Sequence, residues 1–133
     1  MDPDAKLIAF ETNPDFIRKM QEIKDERLII VPDSAENIRS VMKSHGFIKA
    51  DYIVSGIPLT LIPGSVRKKI VSESIDLLSE DGELIFYQYS FYVKKLLKPY
   101  LKDIDISLSL LNFPPMFIIS AKNKLSPKTA KTA

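Results

Sequence analysis

The chain has 133 residues, 45% of them hydrophobic and 27% charged, which is typical of one globular domain and excludes a disordered protein, a collagen or a coiled-coil rod. The 19 lysine and arginine residues nearly balance the 17 aspartate and glutamate residues, so the net charge of +2 gives no signal for nucleic-acid binding. The lack of cysteine excludes disulfides, cysteine–zinc sites and a cysteine nucleophile, and no apolar run approaches the ~20 residues of a membrane-spanning helix.

The first half of the chain alternates short apolar runs with amphipathic stretches. Leu7-Ile8-Ala9-Phe10 and Leu28-Ile29-Ile30-Val31 are apolar at every position, which predicts strands buried on both faces of a parallel sheet. Tyr52-Ile53-Val54 predicts a third strand. Between the first two, Asn13 before Pro14 predicts the start of a helix. Its apolar positions, which we expect to pack in the core, are Phe16, Ile17, Met20 and Ile23.

Three further helices are predicted from their caps and periodicity. Asp33 or Ser34 can cap a helix over about 35–45. Pro63-Gly64 opens a longer helix, over about 64–79. The third, over about 91–102, carries apolar and aromatic residues together with four lysines. This pattern suits a core helix with a solvated lysine face or, alternatively, a helix that lies on an anionic membrane surface.

The last part of the chain changes character. Asp81-Gly82 predicts a turn that leads into a strand over 83–89. Residues 104–111 alternate apolar with polar, and Met116-Phe117-Ile118-Ile119 is apolar. No helix fits between these two runs, so they predict an antiparallel hairpin. The lysine-rich residues 123–133 predict a disordered tail or, alternatively, a basic patch for anionic lipid.

This order of elements predicts the fold class. Strands that alternate with helices form right-handed crossovers and a parallel sheet. We therefore expect an α/β domain over 1–122 with a Rossmann-like, mostly parallel sheet, helices on both faces and a C-terminal antiparallel hairpin. The hairpin is the narrower signature, because it is how the sheets of methyltransferases that use S-adenosylmethionine end.

Four segments carry a resemblance to a known family: residues 8–16, 51–59 (DYIVSGIPL), 86–90 and 111–117 (LNFPPMF). Over about 5–122 the chain resembles the later part of a class I S-adenosylmethionine-dependent methyltransferase. It is most similar to the phospholipid N-methyltransferases of bacteria and archaea, which are related to the ribosomal-RNA adenine dimethylases. The resemblance implies S-adenosylmethionine as cofactor and a lipid or small-molecule amine as methyl acceptor. The absence of cysteine is compatible with a cytoplasmic protein, and peripheral membrane contact is the alternative that the lysine-rich segments leave open.

The resemblance places cofactor-binding residues after the first two strands. Glu11, followed by Thr12, matches the acidic residue that holds the two ribose hydroxyls of the cofactor. A carboxylate can accept two hydrogen bonds from a diol, and it lies where open α/β sheets bind ligands. The alternative is an exposed acid favoured by the dipole of the next helix. Asp33 and Ser34 match the position near the adenine amino group, or they are plain helix caps.

The resemblance also implies a catalytic loop. Ser55, Gly56, Ile57 and Pro58 match the loop beside the transferred methyl group, although a tight turn that needs glycine is the alternative. The related nucleic-acid enzymes have an asparagine and an aromatic residue in this loop. Neither is present here, which favours a lipid-type acceptor, and nucleic acid is not expected as a partner.

Aromatic residues after the fourth strand suggest an amine site. Tyr87, Gln88 and Tyr89 can line such a site because aromatic faces attract ammonium groups, although half-buried strand packing is the alternative. A histidine-based metal site is not expected, because His45 is the only histidine.

The start of the chain departs from the family pattern. Family members have one more strand and helix before this point, joined by a glycine-rich loop that approaches the methionine part of the cofactor. None of the four glycines here forms such a cluster, so cofactor binding is expected to be weak or lost. In the family that strand lies between the strands that end at Glu11 and Ser55. We therefore expect these two strands to pair directly, or a second copy or another chain to complete the sheet.

Three functional hypotheses follow from this departure. The chain is a shortened methyltransferase that an oligomer or a second polypeptide completes, a non-catalytic remnant that acts as a binding or assembly subunit, or a fragment of a longer gene product. Methyl transfer needs little acid–base machinery, because positioning the amine in line with the sulfonium does most of the work. The lack of obvious catalytic residues therefore does not argue against the first hypothesis.

Overall fold

The computed structural model describes residues 2–90, 93–99, 104–110 and 115–122. Its elements are β1 (Leu7–Phe10), α1 (Pro14–Gln21), β2 (Leu28–Val31), α2 (Ile38–Ser44), β3 (Ala50–Ser55), α3 (Gly64–Leu77), β4 (Leu78–Gln88), α4 (Val93–Leu97), β5 (Ile104–Ser109) and β6 (Met116–Lys122). This order confirms the predicted alternation and its two final strands. The predicted tail, the ends of the predicted helix over 91–102 and the resemblance at 111–114 lie outside the described residues.

Local sequence accounts for where the early helices begin and end. The Asn13 side chain accepts a hydrogen bond from the Asp15 amide at 2.9 Å, and Pro14 takes the first helical position, as predicted. Ser34 caps a short 3-10 turn that leads into α2, accepting from the Glu36 amide at 3.3 Å. After α2, Gly46 adopts a φ of +80°, which glycine tolerates best.

The strands form two separate hydrogen-bonded sheets. β1 pairs with β2 in parallel. The larger sheet has the order β3-β4-β6-β5, in which β3 and β4 are parallel and β6 is antiparallel to both of its neighbours. The expected direct pairing of β1 with β3 is therefore wrong. The predicted antiparallel hairpin is confirmed.

One apolar cluster holds the two sheets beside each other. Ile38 and Met42 of α2 and Leu77 of α3 are buried there. The residues that pack against this cluster come from both sheets and the segment between them: Ile8 and Phe10 of β1, Phe47, and Ala50 and Ile53 of β3. Because the same helical layer supports β1 and β3, the two strands stay neighbours without sharing a backbone hydrogen bond.

The gap between β1 and β3 is the topological switch point of the fold. The chain passes outward from β1 to β2 and then returns past β1 to β3. Right-handed crossovers that run in opposite directions place α1 and α2 on opposite faces, as predicted. Open α/β sheets bind their ligands in the crevice at such a point, at the carboxyl ends of the strands.

A larger core fills one face of the four-stranded sheet. It joins α3 and α4 to β4 and β6, and its members are Leu59, Val71, Leu78, Leu84, Phe86, Leu97, Ile119 and Ala121. Leu59 belongs to the loop after β3 and is fully buried, so it anchors that loop in the core. The loop is therefore held by β3 at its start and by the buried side chain of Leu59 at its end.

Helix α1 differs from its prediction. Phe16 and Ile23, expected in the core, are 53% and 55% exposed, and none of the residues of α1 is buried. The helix contacts β2. No described element covers its outer apolar side, which is why periodicity predicted burial that does not occur.

The predicted turn at Asp81-Gly82 is instead part of β4. Helix α3 passes directly into β4 at Leu78, and the register of β4 against β3 shifts between Ala50 and Tyr52. Gly82 lies at this irregularity, with no room for a side chain. A Cβ there would meet Ser79 N at 3.0 Å and the carbonyl oxygens of Ala50 and Ser79 at 3.1 Å.

We expect Gly82→Ala to lower the free energy of unfolding by ~1–3 kcal/mol, because the new methyl group would press on backbone atoms that cannot rotate away. The matched control is Gly56→Ala, where a Cβ meets nothing within 4 Å. Urea unfolding followed by circular dichroism would measure both. Equal unfolding midpoints for the two variants would contradict the prediction.

An ion pair shapes the entry to β2 and makes stability depend on pH. Arg27 Nη2 lies 2.7 Å from Asp25 Oδ2. The hydrogen bonds that the Arg27 side chain and amide donate to this carboxylate hold the pKa of Asp25 well below its usual range. The Arg27 carbonyl in turn accepts from the Leu7 amide at 2.8 Å. A lowered folded-state pKa stabilises the fold above the unfolded-state value, and this contribution fades as pH falls.

We therefore expect Asp25→Asn to unfold more easily than the parent at neutral pH, with the difference shrinking as pH falls below ~4, the unfolded-state value. Because the pair is at the surface, the effect is small and weakens with salt. The control is Asp4→Asn, whose carboxylate has no hydrogen-bond partner among the described residues. A difference that persisted undiminished in acid would rule out this linkage.

Candidate functional site

The residues predicted to form a site lie at or just after the carboxyl ends of β1 to β4. Each of these strands is followed by a helix that returns the chain, so the four ends share one edge of the fold. Two groups flank the gap there. Glu11, Thr12, Asp33 and Ser34 follow the smaller sheet, and the loop 55–58 and residues 87–89 follow the larger one.

Glu11 is fixed by the start of α1. Its Oε1 accepts hydrogen bonds from the Thr12 and Asn13 amides, both at 2.7 Å. Its own amide donates to the Val31 carbonyl at 3.1 Å, which extends the β1–β2 ladder. Within the described part of the chain, Oε2 has no hydrogen-bond partner. The half-buried carboxylate is thus oriented by the backbone, with one oxygen open to accept from a ligand.

Asp33 and Ser34 are engaged in local capping. Both oxygens of Asp33 accept from Asn37 Nδ2, at 3.0 and 2.9 Å, and Oδ1 also accepts from the Ser34 amide at 2.7 Å. Ser34 Oγ caps the 3-10 turn. The capping alternative is therefore observed, and the cofactor role of these two residues stays a prediction. Asn37 was not singled out from the sequence, although its place four residues after Asp33 suits a cap.

The loop after β3 is held from three sides. Ser55 Oγ accepts from the Ile57 amide at 3.3 Å, and the Ile57 carbonyl accepts from Gln88 Nε2 at 2.8 Å. Farther along, Arg67 Nη1 donates to the Leu59 carbonyl at 3.0 Å. Gly56 and Pro58 are exposed between these anchors. The loop thus presents backbone polar groups at the edge of the gap on a fixed frame.

Gln88 has a different position from the two tyrosines predicted with it. It is 3% exposed, on the same side of β4 as buried Leu84 and Phe86, and its side chain reaches back to the loop. Tyr87 is 37% exposed and Tyr89 68%, so both rings are accessible. Gln88 lies two residues after Phe86 in the same strand. Because side chains alternate along a strand, this spacing is the sequence signal that Gln88 points inward.

A depression in the described surface lies between α2 and α3. Its lining residues include Glu36, Arg39, Lys43, Lys69 and Glu73. Within the described residues, no group of histidine, aspartate and glutamate side chains is arranged to hold a metal ion. Likewise, none of the described helices is long and apolar enough to cross a membrane.

Solved structures show which fold this is. The chain superposes on an rRNA methylase from Streptococcus thermophilus with a TM-score of 0.66 and 14% identity, over 90% of this chain and 74% of that one. It superposes equally on the N-methyltransferase NodS from Bradyrhizobium japonicum WM9 in complex with S-adenosyl-L-homocysteine, with a TM-score of 0.67 and 14% identity, over 90% and 67%. The chain therefore has the fold of the class I methyltransferases, as the sequence resemblance predicted.

A curated protein is similar in sequence as well. The ornithine lipid N-methyltransferase of Singulisphaera acidiphila is 21% identical over 116 residues, which is 85% of this chain. The chain spans 60% of the length of that relative. No family model matches the sequence.

We expect Gln88→Leu to lower the free energy of unfolding by ~1–3 kcal/mol, because the Ile57 carbonyl loses its donor in a mostly buried setting. The matched control is Gln21→Leu at an exposed position at the end of α1. Urea unfolding of both variants measures the difference. If Gln88→Leu were as stable as the control, the hydrogen bond would have no part in holding the loop.

Proposed function

We propose that this chain is the lipid-amine-methylating part of an S-adenosylmethionine-dependent methyltransferase. The similarity to an ornithine lipid N-methyltransferase supports the acceptor class. The observation that carries the cofactor is Glu11, whose carboxylate is oriented by two amides and keeps one oxygen open at the switch point. That oxygen suits a ribose hydroxyl, since a charged acceptor strengthens the hydrogen bond.

Each group of residues has a role in this proposal. Glu11 accepts from the ribose, and the capped turn at Asp33 and Ser34 borders the adenine. The backbone carbonyls of the loop 55–58, fixed through Gln88, orient the acceptor amine, and Tyr87 and Tyr89 face its cationic product. The bound cofactor supplies an activated methyl group. The loop 55–58 would hold the amine nitrogen in line with that methyl group, and the amine proton would be released to water.

A non-catalytic binding subunit is the second candidate. It is favoured by the scattered glycines, because no two of them stand close enough to form a loop around the cofactor. Under this proposal the edge of the sheet retains nucleotide contacts but transfers no methyl group. Binding and turnover measured on the same preparation separate the two candidates.

Calorimetric titration with S-adenosylmethionine and S-adenosylhomocysteine tests the cofactor site. We expect weak binding, in the micromolar to millimolar range, that Glu11→Ala reduces ~10–100-fold, because a hydrogen bond to a charged group contributes ~1.5–3 kcal/mol. Glu22→Ala, at the exposed end of α1, is the matched control and leaves affinity unchanged. Equal affinities for the two variants, or no binding at all, would count against the proposal.

The acceptor is tested by transfer of a radiolabelled methyl group to vesicles that contain ornithine lipid or phosphatidylethanolamine, with a ribosomal-RNA fragment as comparison. Label in the lipid fraction supports the proposed activity. Cofactor binding without label in any acceptor supports the binding subunit instead, and label in RNA alone overturns the lipid assignment.

A further inference from the structure

Charged residues are unevenly distributed between the two edges of the four-stranded sheet. β3 and β4 are parallel, and β5 runs in the same direction because β6 is antiparallel to both β4 and β5. The edge where these three strands begin is acidic, with Asp51, Glu80, Asp81, Glu83 and Asp105 in the first part of each strand. The sequence over 52–72, 84–102 and 106–133 contains no acidic residue, and these stretches include the opposite edge.

Cations occupy the edge where β3, β4 and β5 end. Helix α3 starts there, and residues 67–69 (RKK) lie in its first two turns, whereas Glu73 and Asp76 lie towards its other end. Helix α4 also starts at this edge and has Lys94 and Lys95 directly after its first residue. The lysines of both helices are exposed. One edge of the larger sheet is therefore acidic and the other is basic.

The order of charges along α3 opposes the dipole of the helix. A helix is stabilised by carboxylates near its start and by cations near its end. Helix α1 follows this rule, with Asp15 in its first turn and Arg18 and Lys19 in its last turn. Helix α3 has the reverse order, which lowers its stability. Because departures from such local rules are expected at functional positions, the cations of α3 indicate an anionic partner.

An exposed leucine projects from a fixed turn at the basic edge. Leu61, between β3 and α3, is 80% exposed, and its amide donates to the Pro58 carbonyl at 2.8 Å. Nearby Leu59 is fully buried, and its carbonyl accepts from Arg67 Nη1 at 3.0 Å. The turn is thus held by the core and by α3, while the Leu61 side chain is left in solvent.

Exposed leucines also mark the end of β5 at this edge. Leu108 and Leu110 are 51% and 73% exposed. Leucines beside cations suit a lipid bilayer, because the headgroups bind the charges and the hydrocarbon takes up the apolar side chains. Nucleic acid would instead favour aromatic side chains that stack on its bases.

We propose that the basic edge docks on an anionic lipid bilayer. The docking surface consists of Leu61, Lys68, Lys69, Lys94, Lys95 and Leu110. The lysines lie against the headgroups, and the leucines enter the interface between headgroups and hydrocarbon. The proposal names a partner for the proposed function, on whose lipid acceptor it rests, but the surface itself is testable without cofactor or acceptor.

The edge of the sheet makes this contact, and the length of α4 does not. The sequence left open that the helix over about 91–102 lies flat on a membrane. Leu97 is fully buried in the larger core, so the described part of α4 directs this leucine to the protein and its lysines outwards. Helix α4 therefore contributes charge to the docking surface, and the turn at Leu61 and the end of β5 contribute the apolar side chains.

The docked orientation follows from the acidic residues of the smaller sheet. Glu11 and Asp33 lie at the same edge of the fold, on the other side of the gap. An anionic surface repels these carboxylates, so the larger sheet approaches the bilayer more closely than the smaller sheet does. The loop 55–58 then faces the headgroups, and a lipid amine reaches it without leaving the bilayer.

Flotation of the full chain with lipid vesicles, in the absence of cofactor, tests the docking surface. The vesicles contain phosphatidylcholine alone or phosphatidylcholine mixed with phosphatidylglycerol. We expect binding to the anionic vesicles only, and weaker binding as salt is raised. Lys68→Glu should weaken binding ~10-fold or more, because an attractive charge becomes a repulsive one. The control Lys24→Glu makes the same charge change at an exposed position after α1 and leaves binding unchanged.

Two further measurements on Lys68→Glu separate docking from folding and from cofactor binding. A carboxylate near the start of α3 suits the helix dipole, so the urea midpoint is expected to stay the same or rise. Affinity for S-adenosylmethionine is expected to match that of the parent chain. Failure of the docking surface is therefore distinguishable from failure of the proposed function.

A second matched pair of variants tests the leucines. Leu61→Ser is expected to weaken binding to anionic vesicles ~10-fold, because the side chain no longer gains from leaving water. Ile48→Ser is the control. Ile48 is 81% exposed, as Leu61 is, but it precedes β3 at the acidic edge, so its replacement leaves binding unchanged.

Three results would overturn the proposal. The first is absence of binding to anionic vesicles. The second is an equal effect of both variants within each pair, as expected if the lysine-rich residues 123–133 alone bound the lipid. The third is binding to a ribosomal-RNA fragment, but not to vesicles, that Lys68→Glu weakens and Leu61→Ser does not, which would identify nucleic acid as the partner.

Discussion

The arrangement of this protein depends on a small apolar cluster that holds together two sheets with no backbone hydrogen bond between them. Ile38, Met42 and Leu77 support β1 and β3 from the same side. Sheets usually gain their lateral order from ladder hydrogen bonds, which fix spacing and register. Here that order comes from side-chain packing alone at the point where the two sheets meet. The strand directions and the crevice at the switch point both follow from this contact.

The residues of the candidate site are divided between the two sheets. Glu11 is oriented by the first turn of α1, and the loop around Ile57 is oriented by Gln88 of β4. Within the described residues no hydrogen bond joins the two groups, so each is preorganised by its own sheet. A ligand that touches both would bridge the two sheets. The geometry of such a ligand complex therefore depends on how firmly the cluster beneath holds β1 and β3.

The sequence predicted the positions of the first strands and helices better than their burial, since none of the residues of β1 is buried. Four-residue apolar runs located β1 and β2, Asn13 located the start of α1, and Ser34 located the 3-10 turn before α2, because these signals are local. The burial of Phe16 and the turn at Gly82 were wrong, because both depend on which elements lie alongside. The periodicity of a helix does not show whether another element covers its apolar side. An aspartate–glycine pair occurs both in turns and in bulges. The position of Glu11 was predictable, but the role of Gln88 needed the fold.

The direct passage from α3 into β4 has a consequence for the order in which the molecule unfolds. Leu77 packs in the small cluster beneath the gap, and Leu78 packs in the larger core of the four-stranded sheet. Two adjacent residues therefore connect the small cluster to the larger core. The four-stranded sheet has its own closed core, whereas β1, α1 and β2 are attached through α2 and one small cluster. Regions with few buried apolar contacts open at lower free energy than the rest of a protein. The amino-terminal third should therefore open as a unit while the four-stranded sheet remains folded, giving the chain a two-stage response to denaturant.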